Sequence, residues 1–263
     1  MEKIDQERIK WAYQQAKKRL FFLDLEGTLI PTPIDNGTFF QTSLVELLTR
    51  MTSDPINDVV VLSQRTVPEI KDLFNSLPIT LVAENGGFYR SSQAEWKSFE
   101  GKPLPWREQV ARALKTLAAL YPGSVVDEKH FSFVWRYGEN LVDVPDSDRK
   151  QFQVALRTLA NQNGLIMHDY NHVVELIDPR IGKDKFASHW AGTHWTYDFI
   201  FAIGNDSTDE DLFTLLGRDC STIRVGSHQG SAARFNLASQ GEVIPLLYSL
   251  MVESRKPSGD SIP

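Results

Sequence analysis

The chain has 263 residues and a formal net charge of −6, from 28 Lys and Arg against 34 Asp and Glu. This acidic balance argues against a nucleic-acid or membrane partner, because both require clustered basic side chains. A hydrophobic content of 41% is typical of a folded protein, and the single Cys220 excludes a disulfide framework or a multi-cysteine zinc site. No apolar stretch approaches the roughly 18 residues that span a bilayer, so we expect a soluble, cytoplasmic protein.

The first predicted element is an amphipathic helix over residues 2–18, where apolar and charged residues are interleaved. Short apolar runs with little polar alternation follow it, as is typical of strands buried on both faces of a parallel sheet. These predicted strands lie at residues 20–23, 59–62, 79–82, 199–203 and 222–225. Helical patterns separate them, and alternating strands and helices predict a doubly wound α/β core.

The middle of the chain has a different order of predicted elements, with two strands after each helix. The patterns are a helix at 106–120, strands at 124–126 and 131–137, a helix at 146–163, and strands at 165–169 and 173–177. Aromatic residues alternate with other types in 131–137, which predicts a half-exposed antiparallel strand. We therefore expect an inserted α+β cap at residues 100–180, between core segments at 1–99 and 181–263.

Two carboxylates follow the first predicted strand, at the strand end where ligands bind in open α/β sheets. Asp24 and Glu26 lie two residues apart, and Gly27 permits a tight turn after them. An ordinary acidic turn explains this pair equally well when it is taken alone.

Polar residues also follow the other strands. Ser63 ends the second run and offers a hydroxyl to an oxyanion, although Ser caps many ordinary turns. The fourth run ends in Gly204, Asn205 and a series of acids, which the dipole of any following helix favours. Lys183 begins a predicted helix, and by itself it is an ordinary surface lysine.

Together these side chains predict a phosphate-handling site. One strand-end carboxylate would attack phosphorus, and the second would act as general acid and then as base. Ser63 and Lys183 would hold phosphate oxygens. Asp24 and the polar residues after the fourth strand would hold Mg²⁺, which prefers oxygen ligands.

Five sequence blocks carry a resemblance to a known family. They are LFFLDLEGTLIP at 20–31, VVVLSQR at 59–65, LVAENGGFY at 81–89, the cap segment at 127–137 and GNDSTDEDLF at 204–213. On these blocks the chain resembles the trehalose-6-phosphate phosphatases of the haloacid dehalogenase superfamily. The resemblance implies a haloacid dehalogenase-like core with an inserted cap, and trehalose 6-phosphate or trehalose as the ligand.

The resemblance also implies roles for individual residues. Asp24 matches the nucleophile and Glu26 the acid/base position, while Ser63 and Lys183 match phosphate-binding residues. The positions that resemble sugar-contacting residues are Glu84, Lys129 and Glu175. The implied Mg²⁺ ligands are Asp24, Glu26, Asn205 and Asp209.

Several matches depart from the family pattern. Glu26 replaces an aspartate and carries its carboxyl one carbon–carbon bond further out, about 1.5 Å. A misplacement of roughly 1 Å can cost on the order of a hundredfold in rate. Asn205 replaces a metal-binding aspartate, so the site loses a full negative charge. On the substrate side Asp127 replaces a glutamate, and Gln64 replaces a glycine.

Three hypotheses follow from these departures. The first is a phosphatase-like domain with little or no turnover and with weakened or lost Mg²⁺ binding, acting with other subunits of a trehalose synthase/phosphatase complex. The second is an active trehalose-6-phosphate phosphatase that tolerates Glu26 and Asn205. The third is a sugar phosphatase with a different substrate.

Overall fold

The structure is a computed structural model, and it describes residues 2–32, 38–74, 77–92, 94–98, 104–137, 145–170, 172–192, 196–227 and 229–252. Its strands are β1 (Glu2–Lys3), β2 (Arg19–Asp24), β3 (Asn57–Leu62), β4 (Thr80–Ala83), β5 (Phe88–Arg90), β6 (Lys97–Ser98), β7 (Val125–Glu128), β8 (Ser132–Arg136), β9 (Ile166–Tyr170), β10 (Val173–Ile177), β11 (Phe199–Gly204), β12 (Ser221–Val225) and β13 (Phe235–Leu237). Its helices are α1 (Gln6–Gln15), α2 (Thr38–Thr52), α3 (Val67–Phe74), α4 (Arg107–Leu120), α5 (Asp146–Gln162), α6 (Lys183–Gly192), α7 (Ser207–Leu216) and α8 (Val243–Met251).

The larger of two sheets places the site. Over the described residues it has nine strands in the order β1-β13-β12-β11-β2-β3-β4-β5-β6. Neighbours from β1 to β4 in that order are parallel, and the two last pairings are antiparallel. The chain leaves β2 for β3 on one side and later returns to β11 on the other. Ligands bind beyond the carboxyl ends of the strands at such a reversal, and Asp24 is the last residue of β2.

Both faces of this sheet are covered by helices, which explains why the strands show no polar alternation. Phe21 and Leu23 pack in a cluster with residues of α1, α2, α3 and α8. Leu20 and Phe22 pack on the opposite face with residues of α6 and α7. Successive residues of β2 therefore alternate between two apolar layers, and all of them are buried.

The smaller sheet is antiparallel, in the order β7-β8-β10-β9. Its apolar cluster joins aromatic residues of β8 to residues of α4 and α5. Trp135 anchors this cluster, because its ring centroid lies 4.7 Å from those of Tyr137 and Phe152. The smaller sheet and its helices lie between β6 and α6 in the chain, as a cap inserted between core segments does.

The predicted fold class is confirmed, whereas several local predictions are wrong. The N-terminal helix spans only Gln6–Gln15, because Glu2–Lys3 pairs with β13 instead. Strand β8 is not half-exposed, since Ser132 and Val134 are buried together with the aromatic residues between them. The predicted cap boundary at residue 100 lies outside the described residues, so the division into segments stays a prediction.

No helix among the described residues is both long enough and apolar enough to cross a bilayer. The cytoplasmic location expected from the sequence stays a prediction.

Candidate functional site

The site residues meet at the carboxyl ends of the central parallel strands. Asp24 ends β2, Ser63 directly follows β3, and Asn205 directly follows β11. Lys183 is the first residue of α6 and is completely buried. Parallel strands end at the same edge of a sheet, so the topology brings residues from four separate chain segments to one place.

Lys183 is the centre of a buried charge network. Its Nζ donates to Asp24 Oδ1 at 2.6 Å and to Asp209 Oδ1 at 2.7 Å. Asp206 Oδ1 lies 3.9 Å from the same ammonium group. Because a buried charge is costly unless it is paired and hydrogen-bonded, the lysine and the two buried carboxylates depend on one another.

The pKa values of the three acids in this network are shifted in different directions. Burial and the nearby Asp209 carboxylate raise the pKa of Asp24 well above its ordinary value. Burial likewise raises the pKa of Asp209 to about 6, against the attraction of Lys183. For Asp206, burial is outweighed by Lys183 and by hydrogen bonds from Thr208, which lower its pKa to about 2. Burial would lower the pKa of Lys183, but the three carboxylates hold it well above its ordinary value. The lysine therefore stays a cation.

The start of α7 fixes the orientation of Asp209. Asp206 caps the helix by accepting hydrogen bonds from the backbone N–H groups of Thr208 and Asp209, at 2.8 and 3.3 Å. In return, Asp209 Oδ2 accepts the backbone N–H groups of Asn205 at 2.9 Å and Asp206 at 3.0 Å. This reciprocal capping box satisfies donors that a helix start leaves without partners. It also leaves the other oxygen of Asp209 to Lys183.

Oxygen atoms of Asp24, Glu26 and Asn205 converge beside this network. The side-chain amide atom of Asn205 nearest to them lies 3.0 Å from Asp24 Oδ2 and 2.7 Å from the Glu26 carbonyl oxygen. Adjacent oxygens in an octahedral shell with bonds of about 2.1 Å lie about 3.0 Å apart. Carboxylate, carbonyl and amide oxygens are also the ligand types that Mg²⁺ prefers. With its amide oxygen turned inward, this donor set fits Mg²⁺.

The donor set differs from the usual acidic cluster. Among the described residues there is no group of three or more His, Cys, Asp or Glu placed to hold a metal ion. Glu26 offers its backbone carbonyl here while its carboxylate points elsewhere, and both oxygens of Asp209 already accept hydrogen bonds. The predicted ligand role of Asp209 stays a prediction.

The Glu26 carboxylate lies against the predicted phosphate-binding residue. The Ser63 hydroxyl donates to it, with Oγ 2.9 and 3.1 Å from the two carboxylate oxygens. Arg65 Nε also donates to Glu26 Oε1, at 2.6 Å. Beside them, Gln64 Nε2 donates to Asp206 Oδ2 at 2.7 Å. In this arrangement the hydroxyl and guanidinium groups that suit a phosphate already bind a carboxylate.

A cleft of about 820 Å³ opens from this side of the site toward the cap. Its walls include Glu26, Gln64 and Arg65 from the core and Asp127, Lys129 and Arg136 from the cap. Asp127 and Arg136 form an ion pair between β7 and β8. Of the residues predicted to contact a sugar, Lys129 therefore lies where a ligand above Ser63 would meet the cap.

The other two predicted sugar-contacting residues are buried. Glu84 Oε2 accepts the backbone N–H groups of His130 at 2.8 Å and Phe131 at 3.1 Å, and thereby ties the core to the cap. Glu84 has a φ of 48°, in the left-handed region that few non-glycine residues adopt. Glu175 lies within β10, between Val134 of β8 and His168 of β9.

Sequence reasoning gives no individual role to Arg65, Asp206 or Thr28, and it notes Gln64 only as replacing a glycine. Gln64 and Arg65 follow Ser63 directly, and their place after a strand was the available signal. Asp206 was read only as part of an acidic helix start. Thr28 is fully buried, its Oγ1 lies 3.1 Å from the amide atom of Asn205 that faces Asp24, and no local pattern marks it.

Comparison with known proteins identifies relatives of this chain. Residues 22–240 match the model of the trehalose-phosphatase family. Over 227 residues the chain is 30% identical to the bifunctional trehalose-6-phosphate synthase/phosphatase of Thermoproteus tenax, covering 86% of this chain and 31% of that protein. The chain spans about a third of the length of the curated relatives it matches first.

Two solved structures share the fold. The C-terminal domain of C. albicans trehalose-6-phosphate phosphatase has a TM-score of 0.81 at 20% identity, covering 95% of this chain and 99% of that one. The C-terminal domain of the Candida albicans trehalose synthase regulatory protein has a TM-score of 0.72 at 18% identity, covering 93% and 98%. At these identities the likeness concerns the fold alone.

Proposed function

Because the chain belongs to the trehalose-phosphatase family, we propose that it is a trehalose-6-phosphate phosphatase-like domain with weak or no turnover. We propose further that it serves as a regulatory or structural part of a trehalose-synthesising assembly. The observation that carries the proposal is the contact of the Glu26 carboxylate with both Ser63 and Arg65. The active-phosphatase hypothesis remains the alternative.

The position of Glu26 disfavours turnover in two ways. A general acid must present its proton to the leaving oxygen of the substrate, whereas this carboxylate accepts hydrogen bonds from the phosphate-binding side. A phosphate would also have to displace the carboxylate from the Ser63 hydroxyl, which lies 2.9 Å away. Phosphate binding therefore requires the Glu26 carboxylate to leave Ser63, and protonation of the leaving oxygen requires the same carboxylate to face that oxygen.

The regulatory role is supported by the kind of protein that contains similar domains. The Thermoproteus tenax relative is a synthase/phosphatase of which this chain covers 31%. Lys129 and the Asp127–Arg136 pair still line a cleft that is large enough for a disaccharide. A domain that binds trehalose 6-phosphate without rapid hydrolysis would report its concentration to a neighbouring synthase.

The intact buried network favours the alternative function. Asp24 Oδ1 is held by Lys183 at 2.6 Å, at the base of the strand-end crevice. In an active enzyme Asp24 would attack phosphorus, the bond to the sugar oxygen would break, and Glu26 would protonate that oxygen. Water would then hydrolyse the aspartyl phosphate, with Glu26 as base. When bound, Mg²⁺ would neutralise charge on the phosphoryl group, and Asp24, Asn205 and the Glu26 carbonyl would hold it.

Phosphate release from trehalose 6-phosphate with Mg²⁺ separates the two functions. We expect the unmodified chain to turn over at least about a hundredfold below a typical rate of about 10 per second. Glu26→Asp combined with Asn205→Asp should recover much of that difference. Glu69→Asp is the matched control, because Glu69 lines the same cleft but binds Thr66.

Three outcomes would contradict the proposal. Turnover near 10 per second by the unmodified chain would establish the active phosphatase. Faster release from another sugar phosphate would establish a different substrate. Failure to change the rate of a trehalose-6-phosphate synthase, when the two proteins are mixed with and without trehalose 6-phosphate, would exclude the regulatory role.

A further inference from the structure

The side chain of Asn205 lies where two oxygen atoms after β2 converge. One atom of its amide group is 3.0 Å from Asp24 Oδ2, 2.7 Å from the Glu26 carbonyl oxygen and 3.1 Å from Thr28 Oγ1. A carboxylate and a carbonyl only accept hydrogen bonds. The contact of Asn205 with these two oxygens is therefore attractive when its amide nitrogen faces them and repulsive when its amide oxygen does.

The two amide atoms give opposite results. An oxygen there lies within hydrogen-bond distance of two other acceptors, Asp24 Oδ2 and the Glu26 carbonyl oxygen, with the Thr28 hydroxyl as a donor on one side. The contacts with these two acceptors become favourable when a cation binds between them. A nitrogen there donates one hydrogen to Asp24 and one to the Glu26 carbonyl, both at ordinary hydrogen-bond lengths. Amide oxygen and nitrogen have nearly the same size, so the same space accepts either orientation.

We propose that Asn205 takes the place of the divalent cation in the cation-free protein, with Nδ2 bridging Asp24 Oδ2 and the carbonyl oxygen of Glu26. A cation binds only after the amide turns about its Cβ–Cγ bond and presents its oxygen. An aspartate here has no donor, and its charge would repel Asp24 until a cation binds. Asn205 therefore weakens cation binding and stabilises the cation-free site.

The surroundings confine the amide to these two orientations. A Cβ atom on Gly27 would lie 2.3 Å from the amide atom of Asn205 that points away from Asp24 and 2.8 Å from Asn205 Cγ, so only glycine leaves room for the side chain. Thr28 on the same loop is fully buried and contacts the amide. Close packing against Gly27 and Thr28 therefore favours a side chain that stays beside Asp24, where the main choice is which amide atom faces inward.

Thermal unfolding in EDTA and in about 10 mM Mg²⁺ tests the proposal. In EDTA, the melting temperature of Asn205→Asp should be at least about 3 °C below that of the unmodified chain. Mg²⁺ should raise the melting temperature of this variant by at least about 3 °C. Mg²⁺ should move the unmodified chain by less than about 1 °C. The inference concerns the cation-free protein, so this assay succeeds or fails separately from the phosphate-release assay.

Asn236→Asp is the matched control. Asn236 Nδ2 also donates to two carbonyl oxygens, those of Arg224 at 3.0 Å and Gly226 at 2.5 Å, away from the site. The same chemical change there should lower the melting temperature in EDTA without any gain from Mg²⁺. Equal stability of Asn205→Asp and the unmodified chain in EDTA, or equal stabilisation of both by Mg²⁺, would overturn the proposal.

Side-chain amide NMR of the unmodified chain keeps the test decisive even if Asn205→Asp does not fold. In EDTA the two Nδ2 protons of Asn205 should be protected from solvent exchange, and saturating Mg²⁺ should shift them. Exchange as fast as that of the exposed Asn161 side chain would contradict the bridging role.

Discussion

The site has a buried half and an open half, and the two contain nearly the same contact in different surroundings. Lys183 Nζ lies 2.6 Å from Asp24, and these side chains are 0% and 2% exposed. Arg65 Nε also lies 2.6 Å from a carboxylate, that of Glu26, but these side chains are 20% and 21% exposed. Equal distances therefore do not imply equal energies, because water screens the second pair much more than the first.

This difference suits the departures that the resemblance implies. In the buried half every charged group depends on its partners, so one replacement leaves another charge unpaired. In the open half a replaced side chain can rotate into the cleft and be solvated. Glu26 and Gln64 both belong to the open half, where a side chain can be replaced without loss of the fold. Asn205 lies between the halves, in contact with Asp24 and the Glu26 carbonyl, and its amide has nearly the same shape as the aspartate that the resemblance implies there.

The largest loss of stability should come from Lys183→Met, which removes the only cation among the described residues of the buried half. The replacement leaves Asp24 and Asp209 buried without their ammonium partner, and we expect a loss of about 3–5 kcal/mol in unfolding free energy. Urea denaturation measures it. Lys185→Met is the control, because Lys185 is 53% exposed and its surface pair should contribute less than about 1 kcal/mol. A similar loss in the two variants would show that the halves do not differ as described.

A smaller effect should follow from crowding the loop that joins the two halves, through Gly27→Ala. Gly27 has a φ of +79°, and an added Cβ would meet the Asn205 amide at 2.3 Å. We expect a loss of about 2–4 kcal/mol, of which the left-handed backbone accounts for about 1–2.

Gly164→Ala isolates the backbone contribution in this comparison. Gly164 has a φ of +65°, and nothing lies within 4 Å of an added Cβ. Its loss should therefore be only about 1–2 kcal/mol. If denaturation shows equal losses at both glycines, the contact with Asn205 does not constrain the loop.

The buried half could largely be predicted from the sequence, for a topological reason. Asp24 directly follows an apolar run, and parallel strands bring such strand ends to one edge. Lys183 and Asp209 lie in the first turns of helices that begin at that edge. Their pairing follows from the fold once the sheet is predicted to be parallel.

The open half could not be predicted in the same way, because its contacts depend on rotamers and backbone angles. Nothing in the order Ser63, Gln64, Arg65 shows that two of these side chains bind Glu26. Glu84 has a positive φ and binds the cap backbone, neither of which a pattern of residue types shows. Strands of two or three residues, such as β1 and β13, are too short to show a period.

The smallest stability effect should come from the open half itself, through Glu26→Gln. The pair with Arg65 is partly exposed, so we expect a change in unfolding free energy of less than about 1 kcal/mol. The amide no longer binds the guanidinium as a carboxylate does, and Ser63 and Arg65 become available to an anion. Inorganic phosphate should then bind roughly five- to tenfold more tightly, since about 1 kcal/mol corresponds to about a fivefold change.

Calorimetric titration with inorganic phosphate measures this change, with Glu69→Gln as the control in the same cleft. Glu69 accepts hydrogen bonds from Thr66 and interacts with Arg65 only through its charge, so its replacement should leave phosphate affinity within about twofold. If Glu26→Gln weakens phosphate binding, the carboxylate is part of the anion site rather than its competitor. In that case both halves of the site are built for substrate, and the active phosphatase becomes the better description of this chain.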